Sequence, residues 1–169
     1  MRRFANILVC FISFLIIACN QKSEKKNTQS EFISVTKVVD GDTFWGDDGS
    51  AKGIKVRLIG IDAPESKNVF KKKVGYYCKE SKAFLTQMLK GKKVKLVCDI
   101  DSLDRYGRTL AYVYLENGTF VNAEMIEQGY AMVMTVPPNV KFSKVFVGLQ
   151  RLAISKKNGL WKLKTLEKQ

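Results

Sequence analysis

The chain has 169 residues, of which 46% are hydrophobic and 27% charged, which suffices for one globular domain with a buried core but not for two. Lys and Arg number 29 against 16 Asp and Glu, and this net charge of +13 points to a polyanionic partner: nucleic acid, anionic lipid or acidic glycan. The chain contains no histidine, which excludes a histidine base, nucleophile or metal ligand. Hydrolytic chemistry would therefore depend on carboxylates, arginines and an oxygen-preferring cation such as Ca²⁺ or Mg²⁺.

The N-terminal segment has the pattern of an export signal. A pair of arginines precedes an apolar run that is too short to favour a membrane-spanning helix. The run ends in I-I-A-C, which resembles the bacterial lipobox and predicts lipidation of Cys19; an ordinary signal peptide or an uncleaved anchor is the alternative. We expect a signal peptide at 1–18, a flexible polar tether at 19–30 and a folded domain at 31–165, exported and lipid-anchored to a bacterial cell membrane.

Three strands with tight turns between them are predicted first, at 32–39, 44–45 and 52–61. The D-G-D-T turn after the first strand contains Asp42. The third strand carries Arg57 and leads into Asp62 and Glu65, with a proline between the two carboxylates to stop the strand. Two carboxylates from neighbouring strand ends could hold a hard cation, and the arginine a phosphate. A solvated cluster of salt bridges on a strand corner is the alternative.

A second informative loop lies between the later strands. Arg105 and Arg108 bracket Tyr106 there, so that bidentate phosphate donors flank a ring that can stack on a base. The remaining predicted elements are a helix at 77–90, strands at 92–98 and 109–115, a short helix at 121–128 and a final helix at 140–157. On the final helix we expect a buried face formed by Phe142, Val145, Phe146, Leu149, Leu152 and Ala153, with Trp161 packed against it.

Three motif blocks occur in order: V-D-G-D-T at 39–43, V-R-L-I-G-I-D-A-P-E at 56–65 and D-R-Y-G-R-T-L-A-Y at 104–112. Together with G-L-W near the C-terminus, they resemble the motifs of the staphylococcal nuclease (thermonuclease) family. The order of predicted elements also fits an OB-fold. The expected class is therefore α+β, a β-barrel with helices: a five-stranded Greek-key barrel with about three helices.

The resemblance implies Ca²⁺-dependent hydrolysis of phosphodiester bonds in DNA and RNA with low sequence specificity. Carried over residue by residue, it implies Asp42, Asp62 and the carbonyl of Ala63 as Ca²⁺ ligands, Arg57 and Arg108 as the phosphate clamp, Glu65 as general base and Tyr106 as part of the nucleotide pocket. One segment departs from the family: the resemblance implies further tyrosines of the nucleotide pocket after the short helix, where residues 134–139 read M-T-V-P-P-N. This departure puts base stacking in question more than chemistry.

Two further points stay open at the level of sequence. Cys78 and Cys98 would be left after processing, and export makes a disulfide between them plausible, with two free thiols as the alternative. A catalytically silent nucleic-acid-binding OB domain, or a lipoprotein whose basic face binds glycans or anionic lipid, would share this charge pattern. The sequence implies a monomer and no protein partner.

Overall fold

The computed structural model describes residues 32–64 and 76–162. These two ranges contain the strands β1 (Ile33–Asp40), β2 (Thr43–Asp47), β3 (Ile54–Leu58), β4 (Ile61–Asp62), β5 (Lys93–Val97), β6 (Thr109–Leu115) and β7 (Met132–Val133). The helices are α1 (Cys78–Leu89), α2 (Val121–Glu127) and α3 (Ser143–Ser155), followed by a 3₁₀ turn at Gly159–Trp161. The signal peptide, the tether, Cys19 and Glu65 lie outside the described residues and remain predictions.

Five strands close into a barrel in the order β1-β2-β3-β6-β5. The first three form an antiparallel meander, β3 pairs with β6 in parallel, and β5 runs antiparallel to both β6 and β1. Parallel pairing of β3 with β6 requires a long crossover, which α1 and β5 provide. The barrel and its three helices confirm the predicted OB-fold.

The alternation of side chains along the barrel strands explains the core. Phe44, Val56 and Val94 point inward and are fully buried, while their neighbours in sequence face outward. Leu85 and Leu89, one helical turn apart on α1, are also fully buried and belong to the same core cluster. The charged positions of β2 and β3 are thereby directed to the outer surface of the barrel.

The third strand is shorter than predicted, because Gly60 interrupts it. Gly60 has a positive φ of 79°, and a Cβ at this position would lie 2.5 Å from the ring of Phe146 in α3. The chain therefore leaves the barrel after Leu58 and forms β4, in which Asp62 pairs with Met132 of β7. This departure carries Asp62 away from the barrel wall.

The final helix also differs from its prediction. It begins at Ser143 rather than at residue 140, and its buried positions are Phe146 and Ala153. Val145 and Leu152, which were expected on the buried face, are 53% and 48% exposed. The apolar residues of α3 span a wider arc than the neighbouring helix and β7 cover.

Trp161 is buried, as predicted. The candidate disulfide is absent from the structure, since Cys78 and Cys98 are free thiols, the first buried at the start of α1 and the second exposed. Within residues 32–64 and 76–162, no helix has the length and apolar character needed to cross a membrane.

Candidate active site

The first half of the site is a guanidinium held between two carboxylates. Arg57 lies in β3 opposite Thr43 of β2, which brings it beside the turn that carries Asp42. Its Nη1 lies 2.7 Å from Oδ2 of Asp42, which makes an ion pair, but the angle does not suit a hydrogen bond. Its Nη2 donates a hydrogen bond to Oδ1 of Asp62 at 3.1 Å. The structure thus places three residues singled out from the sequence in direct contact.

Asp42 is the most constrained of these groups. Its Oδ2 accepts a hydrogen bond from the backbone N–H of Ala63 at 2.9 Å, and its Oδ1 accepts one from the hydroxyl of Thr43 at 2.9 Å. Burial raises the pKa of Asp42 by more than Arg57 and these hydrogen bonds lower it. The carboxylate is therefore rigid, and nearby positive charge favours its ionised form.

Close packing at the preceding residue holds the turn in place. A Cβ on Gly41 would lie 2.0 Å from Oγ of Ser81 and 2.7 Å from Cβ of Ala63, so that only glycine fits between α1 and the end of β4. The backbone carbonyl of Asp42 accepts a hydrogen bond from the N–H of Leu58 at 2.9 Å. The position of Asp42 is therefore set by the barrel itself.

The second half of the site is the loop between β5 and β6. Oδ1 of Asp104 accepts hydrogen bonds from the backbone N–H groups of Tyr106 and Arg108, each at 2.9 Å, and Oδ2 accepts one from Nε of Arg108 at 2.6 Å. The ring of Tyr106 is 67% exposed, and the guanidinium carbons of Arg105 and Arg108 lie 4.8 and 5.5 Å from its centroid. The expected substrate-binding ring is therefore accessible and flanked by two cations.

An open cleft of about 440 Å³ joins these two halves. Arg57, Tyr106 and Arg108 all line it. Its remaining wall is largely apolar and includes Leu103, Leu110, Met134, Val136, Pro137 and Pro138. Aliphatic side chains thus stand in the segment where the family resemblance leads one to expect tyrosines, so the departure noted in the sequence falls within the cleft.

The apolar wall is fixed to the arginine-bearing loop by Asn139. This residue is 6% exposed, its Oδ1 accepts a hydrogen bond from the N–H of Asp101 at 2.8 Å, and its Nδ2 donates to the carbonyl of Asp101 at 2.9 Å. Next to it, Oδ2 of Asp99 accepts hydrogen bonds from the N–H of Lys141 and the hydroxyl of Tyr112. These contacts hold the two sides of the cleft at a defined separation.

Sequence reasoning assigned no role to Asp104 or Asn139. The spacing of Asp104 and Arg108, four residues apart across a glycine-containing turn, is a local signal that could have indicated the ion pair. Asn139 offers no such signal, because its partner lies 38 residues earlier in the chain.

The side chains around Arg57 supply oxygen donors of the kind that the expected Ca²⁺ requires. Among residues 32–64 and 76–162, no group of three or more His, Cys, Asp or Glu side chains is arranged to hold a metal ion. Asp42 and Asp62 do converge, however, and a hard cation accepts carboxylates together with backbone carbonyls and waters. The oxygen-only donors fit Ca²⁺ chemically, with two carboxylates supplied by the described residues. Glu65, which follows Pro64, lies outside them.

Comparisons with known proteins agree with the resemblance read from the motifs. A family model described as "Staphylococcal nuclease homologue" matches residues 55–163. The chain is 35% identical to a thermonuclease of Staphylococcus hyicus, over 93% of this chain and 92% of that protein, and 35% identical to a thermonuclease of Staphylococcus intermedius, over 83% and 82%. It is 34% identical to an uncharacterized endonuclease of Haemophilus influenzae, over 92% of this chain and 78% of that protein. With the family motifs folded into a barrel that places Arg57 beside Asp42 and Asp62 and on one cleft with Arg108, this chain belongs to the family of staphylococcal nuclease homologues.

Proposed function

We propose that this protein is a Ca²⁺-dependent nuclease that hydrolyses phosphodiester bonds of DNA and RNA with little sequence specificity. The observation that carries the proposal is the convergence of Arg57 and Arg108 on one cleft beside two carboxylates. The names of the relatives, thermonucleases and endonucleases, support the same reaction class. The net charge of +13 suits a polyanionic substrate.

The two arginines are suited to bind the scissile phosphate. Guanidinium groups donate paired hydrogen bonds to phosphate oxygens, and they stabilise the charge that builds up on those oxygens in the transition state. Both are held before substrate arrives, Arg57 by Asp42 and Asp62 and Arg108 by Asp104. Such preorganisation lowers the barrier because little reorientation is needed during the reaction.

Asp42, Asp62 and the carbonyl of Ala63 would hold Ca²⁺, which, when bound, polarises the phosphoryl oxygen as a Lewis acid. Glu65 would accept the proton of the attacking water, the role that the resemblance of residues 56–65 to the family motif implies. The largely apolar wall of the cleft offers contact surface with few side chains that could read base edges, which suits low sequence specificity.

Cleavage of single-stranded DNA by the purified protein, with Ca²⁺ and with a chelator, tests this proposal. Arg57→Ala serves as the companion variant, with Lys156→Ala, an exposed cation near the end of α3, as the matched control. We expect Ca²⁺-dependent cleavage that is lost in the first variant, by about 100-fold or more, and retained in the second. Intact DNA under every condition, with binding retained, would instead indicate a nucleic-acid-binding module.

We also propose that the protein is exported and anchored to a bacterial cell membrane by lipid on Cys19. The support is the basic start, the short apolar run and the I-I-A-C sequence that ends in Cys19. Incorporation of labelled fatty acid into the wild-type protein but not into Cys19→Ala is the expected result. Label in both proteins would contradict it.

A further inference from the structure

A row of basic and aromatic side chains crosses the outer face of the barrel beside the site. Lys37 of β1 pairs in register with Trp45 of β2, and Trp45 pairs with Lys55 of β3. Residues directly opposite one another on neighbouring strands have their side chains on the same face, about 5 Å apart. The three side chains therefore form one continuous line across three strands.

Burial shows which face this is. Phe44 and Val56, the neighbours of Trp45 and Lys55, are fully buried inside the barrel, so Trp45 and Lys55 point outward. Lys37 is exposed and Trp45 is half-buried. Nζ of Lys55 lies 5.9 Å from the centroid of the Trp45 ring, a cation–π arrangement. In the part of the chain that the structure describes, neither lysine pairs with a carboxylate.

This row leads directly to the phosphate clamp. Arg57 follows Lys55 by two residues on β3, so that it shares the outward face at a distance of about 7 Å along the strand. Its partner across the sheet is Thr43, which stands in the same relation to Trp45. Arg57 also lines the cleft that contains Tyr106 and Arg108. The row and the cleft therefore meet at one guanidinium.

We propose that Lys37, Trp45 and Lys55 form a second nucleic-acid-binding surface, which holds the single strand on one side of the scissile phosphate. This inference rests on the proposed nuclease function and adds a substrate preference to it. An unpaired base stacks on the indole ring, and the two ammonium groups pair with flanking phosphates. Stacking requires an exposed base face, so the surface selects single-stranded nucleic acid, or a locally opened duplex, over closed double strands.

Binding can be observed separately from cleavage through Trp45 itself. With chelator present, titration with an oligothymidylate of about eight nucleotides, within the range of OB-fold site sizes, is expected to change tryptophan emission. The chain has two tryptophans, and Trp161 is 7% exposed, so the change should vanish in Trp45→Phe. Polarisation of a labelled oligonucleotide reports binding independently. Binding of the wild type without any change in Trp45 emission would overturn the proposal.

Affinity measurements then separate the contribution of the Trp45 ring to binding from that of the two lysine charges. Trp45→Leu should weaken octamer binding about fivefold or more, whereas Trp45→Phe retains a stacking ring and should stay within about twofold of wild type. Replacing Lys37 and Lys55 together by Gln should reduce the slope of log affinity against log salt by about 0.7 for each lost phosphate contact, and Lys156→Gln should leave it unchanged. Thermal unfolding of each variant checks that it is folded, and the lysine variant remains informative if the tryptophan variant is not.

The outcomes distinguish this surface from the nuclease proposal. Cleavage by the wild type with unaltered affinity in both Trp45→Leu and the lysine double variant would refute the surface and leave the nuclease intact. Binding that depends on Trp45, without cleavage at any Ca²⁺ concentration, would support the surface and refute the nuclease. A larger rise in KM for the octamer than for a dinucleotide in Trp45→Leu would place the surface beyond the scissile phosphate.

Discussion

Asp104→Asn tests how far the orientation of Arg108 contributes to catalysis. The substitution preserves Oδ1, which accepts the backbone N–H groups of Tyr106 and Arg108, so the turn keeps its two hydrogen bonds. It places an amide –NH₂ where Oδ2 now accepts Nε of Arg108 at 2.6 Å. Two donors would then face each other, and the guanidinium would lose its fixed orientation.

The magnitude follows from the partners and their burial. A hydrogen bond to a charged group contributes about 1.5–3 kcal/mol. The side chains are 14% exposed at Asp104 and 26% at Arg108, so solvent screening is moderate and we expect about 1–2 kcal/mol of stability to be lost. A similar loss of transition-state stabilisation would lower kcat/KM roughly five- to thirtyfold.

The pH dependence gives a second readout of the same contact. Partial burial raises the pKa of Asp104, but hydrogen bonds from Arg108 and Tyr106 lower it by more, and the result lies below the ordinary value of 3.8. The ionised carboxylate therefore stabilises the fold fully above about pH 4, and this contribution is lost as the pH falls through the folded-state pKa. The stability difference between wild type and Asp104→Asn should be constant above that pH and should narrow below it.

Asp101→Asn is the matched control, because it removes the same charge from the same loop. Asp101 is exposed, and its hydrogen bonds with Asn139 come from its backbone. Steady-state cleavage of single-stranded DNA with Ca²⁺, and urea unfolding, should show the losses in Asp104→Asn alone. Equal losses in both variants would mean that loop charge matters rather than the position of Arg108, and unchanged kcat/KM in Asp104→Asn would refute the argument.

Three other substitutions test the framework of the site. Asn122→Ala removes fully buried hydrogen bonds that join α2 to β6 and to the end of β3, and urea unfolding should show a loss of about 2–5 kcal/mol. Gly60→Ala places a side chain at a positive φ and in overlap with the ring of Phe146, so calorimetry should show a loss of about 2–4 kcal/mol in the free energy of unfolding. A variant as stable as the wild type would mean that α3 can move. Asn139→Ala removes the two hydrogen bonds that join the apolar wall to the arginine-bearing loop. The KM for single-stranded DNA should therefore rise several-fold, while the metal dependence of cleavage is unchanged.

The barrel and half of the site could be predicted because local patterns determine them. The D-G-D-T turn and the alternation in β2 and β3 specify a hairpin arrangement, and the register that follows places Thr43 opposite Arg57. The same register brings Asp42 close to Arg57 and to the end of the third strand, in line with the prediction that Asp42 and Asp62 lie at neighbouring strand ends. The loop that contains Arg105, Tyr106 and Arg108 could likewise be predicted from its sequence, because Gly107 favours a tight turn.

The remaining features depend on partners that are distant in sequence. The break in the third strand at Gly60 follows from the approach of Phe146, 86 positions later, and no window around Gly60 contains that information. The helical period of α3 indicates a direction of burial but not the width of the covered face, so Val145 and Leu152 were wrongly placed in the core. Asn139 acquires its role through a backbone segment that the sequence does not identify as its neighbour.

The two halves of the site differ in what holds them, and the difference matches their chemistry. Asp42 and Arg57 are held by barrel strands and by buried hydrogen bonds, at an energetic cost that the raised pKa of Asp42 makes visible. Burying a carboxylate costs free energy, and a neutral side chain at this position would cost less, so the charge of Asp42 suits a role in binding a cation better than a purely structural role. Arg108, by contrast, lies on a surface loop that Asp104 and Asn139 fix in place, and a nucleic-acid strand of any sequence can approach it there. The rigid half is therefore suited to hydrolysis, which is the same for every phosphodiester bond. The loop half is suited to holding the substrate, whose base sequence varies.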